Sequence, residues 1–320
     1  MNEMIPTRDG FGHELVRLGK ENDKIVVLSG DLEDATRAEY FKHEFPDRFF
    51  NLGIAEQDVV GTAAGFSLMG FIPFATSFAV FMTNRAYDML RLDVCYNKTN
   101  VKVVCSHAGV TVGEDGASAQ CLEDLAIMRV LPNIAVICPA DTVEAAKATR
   151  AIIEHQGPVY MRTSRAPFPV ITDDKTPFEI GRANLMRDGS DVTLIGCGVM
   201  VSECLLAADS LAQQGVQARV INMHTIKPLD TEMVIKAAQE TGAIVTAEEH
   251  QVNGGLGSAV AECLVQHTPV PMEMVAVRDV FGETGSPREL LKKFHLTDVD
   301  IAQAAQKALK RRKSFKPSSK

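Results

Sequence analysis

The chain has 320 residues, 46% apolar and 23% charged, the composition of a soluble globular protein long enough for two domains. Its net charge of −8 speaks against a nucleic-acid partner, because neutralising phosphates requires a basic surface. No run approaches the roughly 20 uncharged apolar residues that cross a bilayer. The opening "MNEMIPTRDG" has no export signal, so a cytoplasmic protein with no membrane partner is expected. The seven cysteines (95, 105, 121, 138, 197, 204 and 263) lack C-x-x-C spacing and read as core thiols in a reducing cytosol.

Short β-branched runs alternate with helical patterns along the chain. "KIVVLS" (24–29), "VKVVCS" (101–106), "IAVIC" (134–138) and "PVYMR" (158–162) form a first series. "DVTLIG" (191–196), "QARVIN" (217–222), "AIVTA" (243–247) and "EMVAV" (273–277) form a second. Apolar on both faces, they suit parallel strands covered by helices, which means an α/β fold in two domains. "RFFNLGI" (48–54) reads as a further short strand, and "EQDVVGTAAGFSLM" (56–69) as a helix. In 70–90, Phe71, Phe74, Phe78 and Phe81 fall near helical spacing after Pro73, which predicts a helix with an aromatic stripe. Asp141 with Glu144 three residues on, and Ser286 before Pro287, are helix starts. The proline-rich, acidic stretch after residue 166 suits an irregular connection. The expected division is residues 1–170, a linker at 171–190, and residues 191–320. The basic tail "LKRRKSFKPSSK" is expected to be a frayed, solvated end.

Four places carry chemistry. Glu56 opens a helix whose Gly61, Ala63, Ala64, Gly65 and Ser67 keep it slim. It is either a helix-start carboxylate favoured by the dipole or an acid delivered to a subunit seam or cleft. The phenylalanines of 70–90 either pack a core or offer a face to a ligand ring. "SHAGVTVGEDGASAQCLED" (106–124) follows a strand and holds His107, Glu114 and Asp115 among glycines, where open α/β sheets bind ligands. Arg162 and Arg165 leave another strand end, and Arg8 precedes the first helix. Each either binds phosphate or carboxylate or is solvated. The glycines of "GCGVM" (196–200) and "EEHQVNGGLGSAV" (248–260) miss the dinucleotide fingerprint and read as tight turns and close packing.

Taken in order, "GIAEQ", the aromatic stretch, "GEDG" and "TSR" resemble the pyrimidine-binding and C-terminal domains of the transketolase group of thiamine diphosphate enzymes. The resemblance covers essentially the whole chain. It implies that Glu56 bonds the aminopyrimidine ring nitrogen and favours the imino tautomer that creates the carbanion nucleophile. It also implies that Phe78 and Phe81 enclose that ring, with Phe81 as the stacking face. Asp31 would lie near cofactor and substrate, His107 beside the donor's hydroxyls, and Asp115 on the hydroxyl next to the carbonyl. Arg8 and Arg165 would bind a sugar phosphate. The implied reaction moves a two-carbon ketol unit from a ketose to an aldose.

Two positions depart from the family pattern. Ala119 stands where histidine usually precedes the glutamine of "GEDGxxxQ", and Ala35 where serine is usual after "GDLED". Both would lie near the distal end of the acceptor, so the usual pentose-phosphate pattern is incomplete. A Gly-Asp-Gly…Asn motif for magnesium and diphosphate is missing, since "RDGS" stands near the linker. The expectation is therefore a C-terminal subunit that holds no metal itself and joins an N-terminal partner bearing magnesium, in an α2β2 heterotetramer. Deoxyxylulose-phosphate synthase shares "GIAEQ" but has arginine at the position of His107, and the pyruvate-dehydrogenase-type beta subunit lacks "GEDG" in this form. A non-catalytic regulatory or binding subunit on the same fold is the reading from another class.

Overall fold

The computed structural model describes residues 3–314. Two mainly parallel sheets carry helices on both faces. In the first, the strands run in the order Thr225–Lys227, Ala135–Ile137, Val159–Arg162, Lys102–Ser106, Ile72–Phe78, Ile25–Ser29 and Phe49–Asn51. In the second, the order is Met272–Val277, Ile244–Gln251, Val192–Gly196, Ala218–Asn222 and Asn184–Arg187. The central strands, Ile25–Ser29 and Val192–Gly196 among them, are buried throughout, as their two-faced apolar pattern requires.

The antiparallel strand of each sheet lies at its edge. Thr225–Lys227 comes from the second half of the chain but pairs with Ala135–Ile137 of the first sheet. Asn184–Arg187, inside the expected linker, pairs with Ala218–Asn222. Neither stands out as an apolar run, because an edge strand is covered on fewer sides. The largest apolar cluster includes Leu28 and Val103 from one domain and Ile195, Ile221 and Val260 from the other. The two domains therefore share a continuous core. Among the described residues no helix is long and apolar enough to cross a membrane.

Residues 70–90 correct the helical expectation. Ile72–Phe78 is a strand between Ile25–Ser29 and Lys102–Ser106, and the helix Ala79–Arg85 begins only after Phe78. Positions i and i+4 share a side of a strand as well as of a helix, so the spacing of Phe74 and Phe78 fits both.

The acid at 141 does more than cap. Asp141 Oδ1 accepts the Glu144 N–H at 2.8 Å, while Oδ2 accepts those of Ile171 and Thr172 at 2.7 and 2.6 Å. It thus pins the inter-domain connection to helix Thr142–Glu154. Glu144 accepts from the Ala140 N–H at 2.7 Å and from Asn222 of the second domain at 2.8 and 3.0 Å. Ser286 and Glu289 form a capping box on Pro287–Lys293.

The basic end is less free than expected. Helix Asp298–Ser314 runs through "LKRRKS", and Arg312 donates to the carbonyls of Asp191 and Thr241 at 2.7 and 2.6 Å. The remaining residues, "FKPSSK", lie outside the described residues.

Candidate active site

Most of the singled-out residues gather at the carboxyl ends of the first sheet's strands, where an open α/β sheet leaves a crevice. Asp31 follows Ile25–Ser29, Glu56 follows Phe49–Asn51, Phe78 ends Ile72–Phe78, His107 follows Lys102–Ser106, and Arg165 follows Val159–Arg162. Arg8 arrives from helix Thr7–Glu21. The Thr7 N–H donates to Ser164 Oγ at 3.1 Å and the Ser164 N–H to Thr7 Oγ1 at 2.6 Å, fixing that helix start beside Arg165.

One corner is built on Glu56. It is 2% exposed and opens helix Glu56–Leu68. Ser77 Oγ donates to Oε1 at 3.4 Å, and Arg85 Nη1 reaches both carboxylate oxygens at 3.2 and 3.1 Å. The same guanidinium lies over the Phe81 ring, 4.3 Å from its centroid. Phe81 in turn stacks on Phe78 at 5.6 Å and 17°. Glu56 and Arg85 line a cleft of about 460 Å³.

The other corner is built on His107. Its ring stacks on Phe78 at 3.7 Å, so Phe78 joins the two corners. Nδ1 is 2.8 Å from Ser106 Oγ, and Nε2 is 3.8 Å from Asp115 Oδ2. The backbone takes the left-handed conformation at φ 60°, a strain that in a non-glycine residue persists only where the surroundings enforce it. Burial, then the charges of Arg8, Arg165 and Arg37, push the imidazole pKa down to about 3, and the Asp115 carboxylate does not offset them. His107 is thus a neutral imidazole, able to donate from one nitrogen and accept at the other.

The rim is cationic. Arg165 Nη1 donates to the Val112 carbonyl and to Glu114, both at 2.9 Å, and its Nε is 3.8 Å from Asp115. Arg8 Nη1 donates to the Ala35 carbonyl at 2.7 Å, while its buried Nε has no partner among the described residues. Ala119 packs in a small cluster with Phe78 and Val112. Asp31 follows Gly30, which borders the Glu56 corner: a Cβ there would lie 3.7 Å from Glu56 Oε1. Asp31 is exposed, with φ 64°, and accepts from Asn51 at 3.0 Å.

The "GEDG" loop rests on the second domain. Glu249 accepts the N–H and the hydroxyl of Thr111 at 3.1 and 2.8 Å. Gly109, at φ 82°, lies so close that a Cβ would run into the Glu249 carboxylate. Burial pushes Glu249 up to about 7, with Arg162 opposing. Gln120 ties the loop to the Glu283 carbonyl at 2.8 Å. Arg162 is no surface ligand: it is buried and donates to Asp124 at 3.1 Å and to the Glu249 carbonyl at 3.3 Å.

Arg85, Ser77, Ser106 and Glu249 lie in the singled-out stretches and Arg37 outside them, but no local pattern marks the roles of these five. Arg85 stands four residues after Phe81, the spacing of neighbours on one helix face. That signal depends on placing the helix start at Ala79.

These residues suit the pyrimidine half of thiamine diphosphate. A planar group bearing N–H donors already fits between Glu56 and the Phe81 face, with the Arg85 guanidinium standing in for the amidine edge of an aminopyrimidine. Among the described residues no three His, Cys, Asp or Glu side chains gather as a metal site.

Residues 3–169 match the pyrimidine-binding domain of transketolase, and residues 181–301 match the transketolase C-terminal domain. The chain is 43% identical over 305 residues to the 6-deoxy-6-sulfo-D-fructose transketolase subunit SqwH of Clostridium sp. (strain MSTE9), covering 95% of each. To the transketolase of Homo sapiens it is 38% identical over 310 residues, 96% of this chain and 49% of that protein. A solved structure described as a split gene transketolase, inactive β4 tetramer, shares 48% identity and a TM-score of 0.90. The match covers 96% of this chain and 99% of that one.

Proposed function

The chain belongs to the transketolase family, and from that premise we propose that it is the C-terminal subunit of a two-chain transketolase. It works with thiamine diphosphate and an N-terminal partner that holds the diphosphate and magnesium, as an α2β2 assembly. The observation that carries the reading is the buried Glu56 carboxylate, linked to the Phe81 face by the planar Arg85 guanidinium. The relatives named as subunit and split gene support the division between two chains. The seven buried free thiols support a reducing, cytosolic setting.

When bound, the cofactor supplies the carbon nucleophile of ketol transfer. Glu56 holds a proton against the ring nitrogen of the aminopyrimidine, and Phe81 with Phe78 orients that ring and excludes water. His107, kept neutral by burial and nearby arginines, exchanges hydrogen bonds with donor hydroxyls without carrying charge. Asp115, beside it, reads the hydroxyl next to the carbonyl. Arg8 and Arg165 favour a sugar with an anionic end. Ala35 and Ala119 offer no side-chain hydrogen bond there, so the arginines read the anion without the usual serine and histidine. The donor and acceptor are ketose and aldose bearing phosphate or another anion.

The test is reconstitution with the partner, thiamine diphosphate and magnesium, followed by a screen of donors and acceptors with phosphate, sulfonate or no anionic group. Two-carbon ketol transfer that needs both chains is expected. Decarboxylation of pyruvate by the complex, or turnover by this chain alone, would overturn the reading.

A further inference from the structure

We infer that Arg85 is a gating counter-ion, competing with the aminopyrimidine for the Glu56 carboxylate and the Phe81 face. The inference rests on the thiamine diphosphate reading above and deepens it. A carboxylate as buried as Glu56 is costly to leave unpaired, and the Arg85 guanidinium compensates it through both oxygens. That guanidinium also covers the Phe81 ring, so one side chain holds the acid and the stacking surface together. A planar ring with N–H donors cannot occupy the same two surfaces while Arg85 does.

The arrangement suits release. Glu56 is 2% exposed as a side chain but Arg85 is 48% exposed, so the cation can swing into solvent without disturbing the core. Gln57 Nε2 donates to the Arg85 carbonyl at 3.1 Å and anchors the main chain while the side chain moves. Asp58 lines the same cleft and offers the freed guanidinium a second carboxylate. Binding of the cofactor then carries the cost of opening this pair, which lowers apparent affinity by the fraction of open molecules.

The experiment measures thiamine diphosphate dissociation constants by calorimetry on the reconstituted complex with magnesium, for wild type, Arg85→Gln and Arg85→Lys. Arg85→Gln, which removes the charge, should bind about tenfold more tightly, the shift expected when a pair closed in roughly nine of ten molecules is abolished. Arg85→Lys keeps the charge but loses the planar stack, and should fall between the two. Unchanged or weaker binding by Arg85→Gln overturns the inference. Should Arg85→Gln fail to assemble, Arg85→Lys decides in the same way: tighter binding supports gating and anything else overturns it. A wild-type complex that binds no thiamine diphosphate sinks the proposed function and this inference together. A wild type that binds while neither variant binds more tightly sinks the inference alone.

Discussion

Glu56 opens helix Glu56–Leu68, and Glu248 lies under the start of helix Leu256–His267; both are buried carboxylates beside helices that carry glycine. Glu248 accepts the N–H groups of Leu256 and Gly257, each at 2.7 Å, so the free amides of its own helix start saturate it. Burial pushes its pKa up, and His250 and those amides pull it back. Among the described residues no backbone amide donates to Glu56, whose oxygens meet one hydroxyl and one half-exposed guanidinium. The difference teaches how to tell a structural acid from a chemical one. Burial is common to both, and what separates them is whether the partners can leave.

Substitution can break this comparison at either end. The largest effect is expected from Glu56→Gln in the reconstituted complex. Proton exchange at the cofactor's thiazolium carbon should slow by about 10²–10⁴, the usual contribution of a positioned acid or base. Thermal unfolding of the subunit should barely move, since a pair with so exposed a cation is worth at most about 1 kcal/mol. A loss of exchange below tenfold would remove Glu56 from its role.

Glu248→Ala should do the reverse. Two buried amides lose their acceptor at about 1–3 kcal/mol each, so urea unfolding should show a loss of about 2–6 kcal/mol. Cofactor affinity per folded complex should be unchanged. If instead stability holds and cofactor binding fails, the two acids are not distinguished by their partners.

The smallest effect sharpens the comparison by adding His107, the site's second buried titratable group. Its folded pKa is about 3 and its unfolded value about 6.5, so between these the unfolded chain binds more protons and stability rises with pH. Going from pH 7 to pH 5 should cost about 2 kcal/mol through this group. His224, lowered by burial to about 4, contributes its own slope to both proteins, so the difference between wild type and His107→Asn isolates His107. Denaturant titrations at the two pH values measure it, and identical slopes would mean that His107 is not held neutral.

The eight strands of the two series are present with every end within four residues of its expected place, because fully covered strands must be apolar along their whole length. The capping acids Asp141 and Ser286–Glu289 are equally legible, since their partners lie three residues away. The strand at Ile72–Phe78 reads as helix from the sequence because two phenylalanines four apart satisfy both periods. Asn184–Arg187 and Thr225–Lys227 escaped because nothing local marks an edge strand. Within the site, Glu56, Phe78, Phe81, His107, Asp115, Arg8 and Arg165 stood in motifs. Arg85 and Glu249 lie in singled-out stretches too, but their importance lies in what they touch across 29 and 138 residues of chain.

The α/β class, the eight covered strands of the two series and an acid at the head of a slim helix are legible in the sequence alone. These follow from local periodicity and from capping within one turn. The folded chain adds that Glu56 pairs with an Arg85 that covers Phe81, that His107 lies against Phe78 among three arginines, and that Glu249 of the second domain supports the "GEDG" loop. Such contacts join residues far apart in the chain, and their energies depend on a burial that exists only once both sheets have closed around a common core.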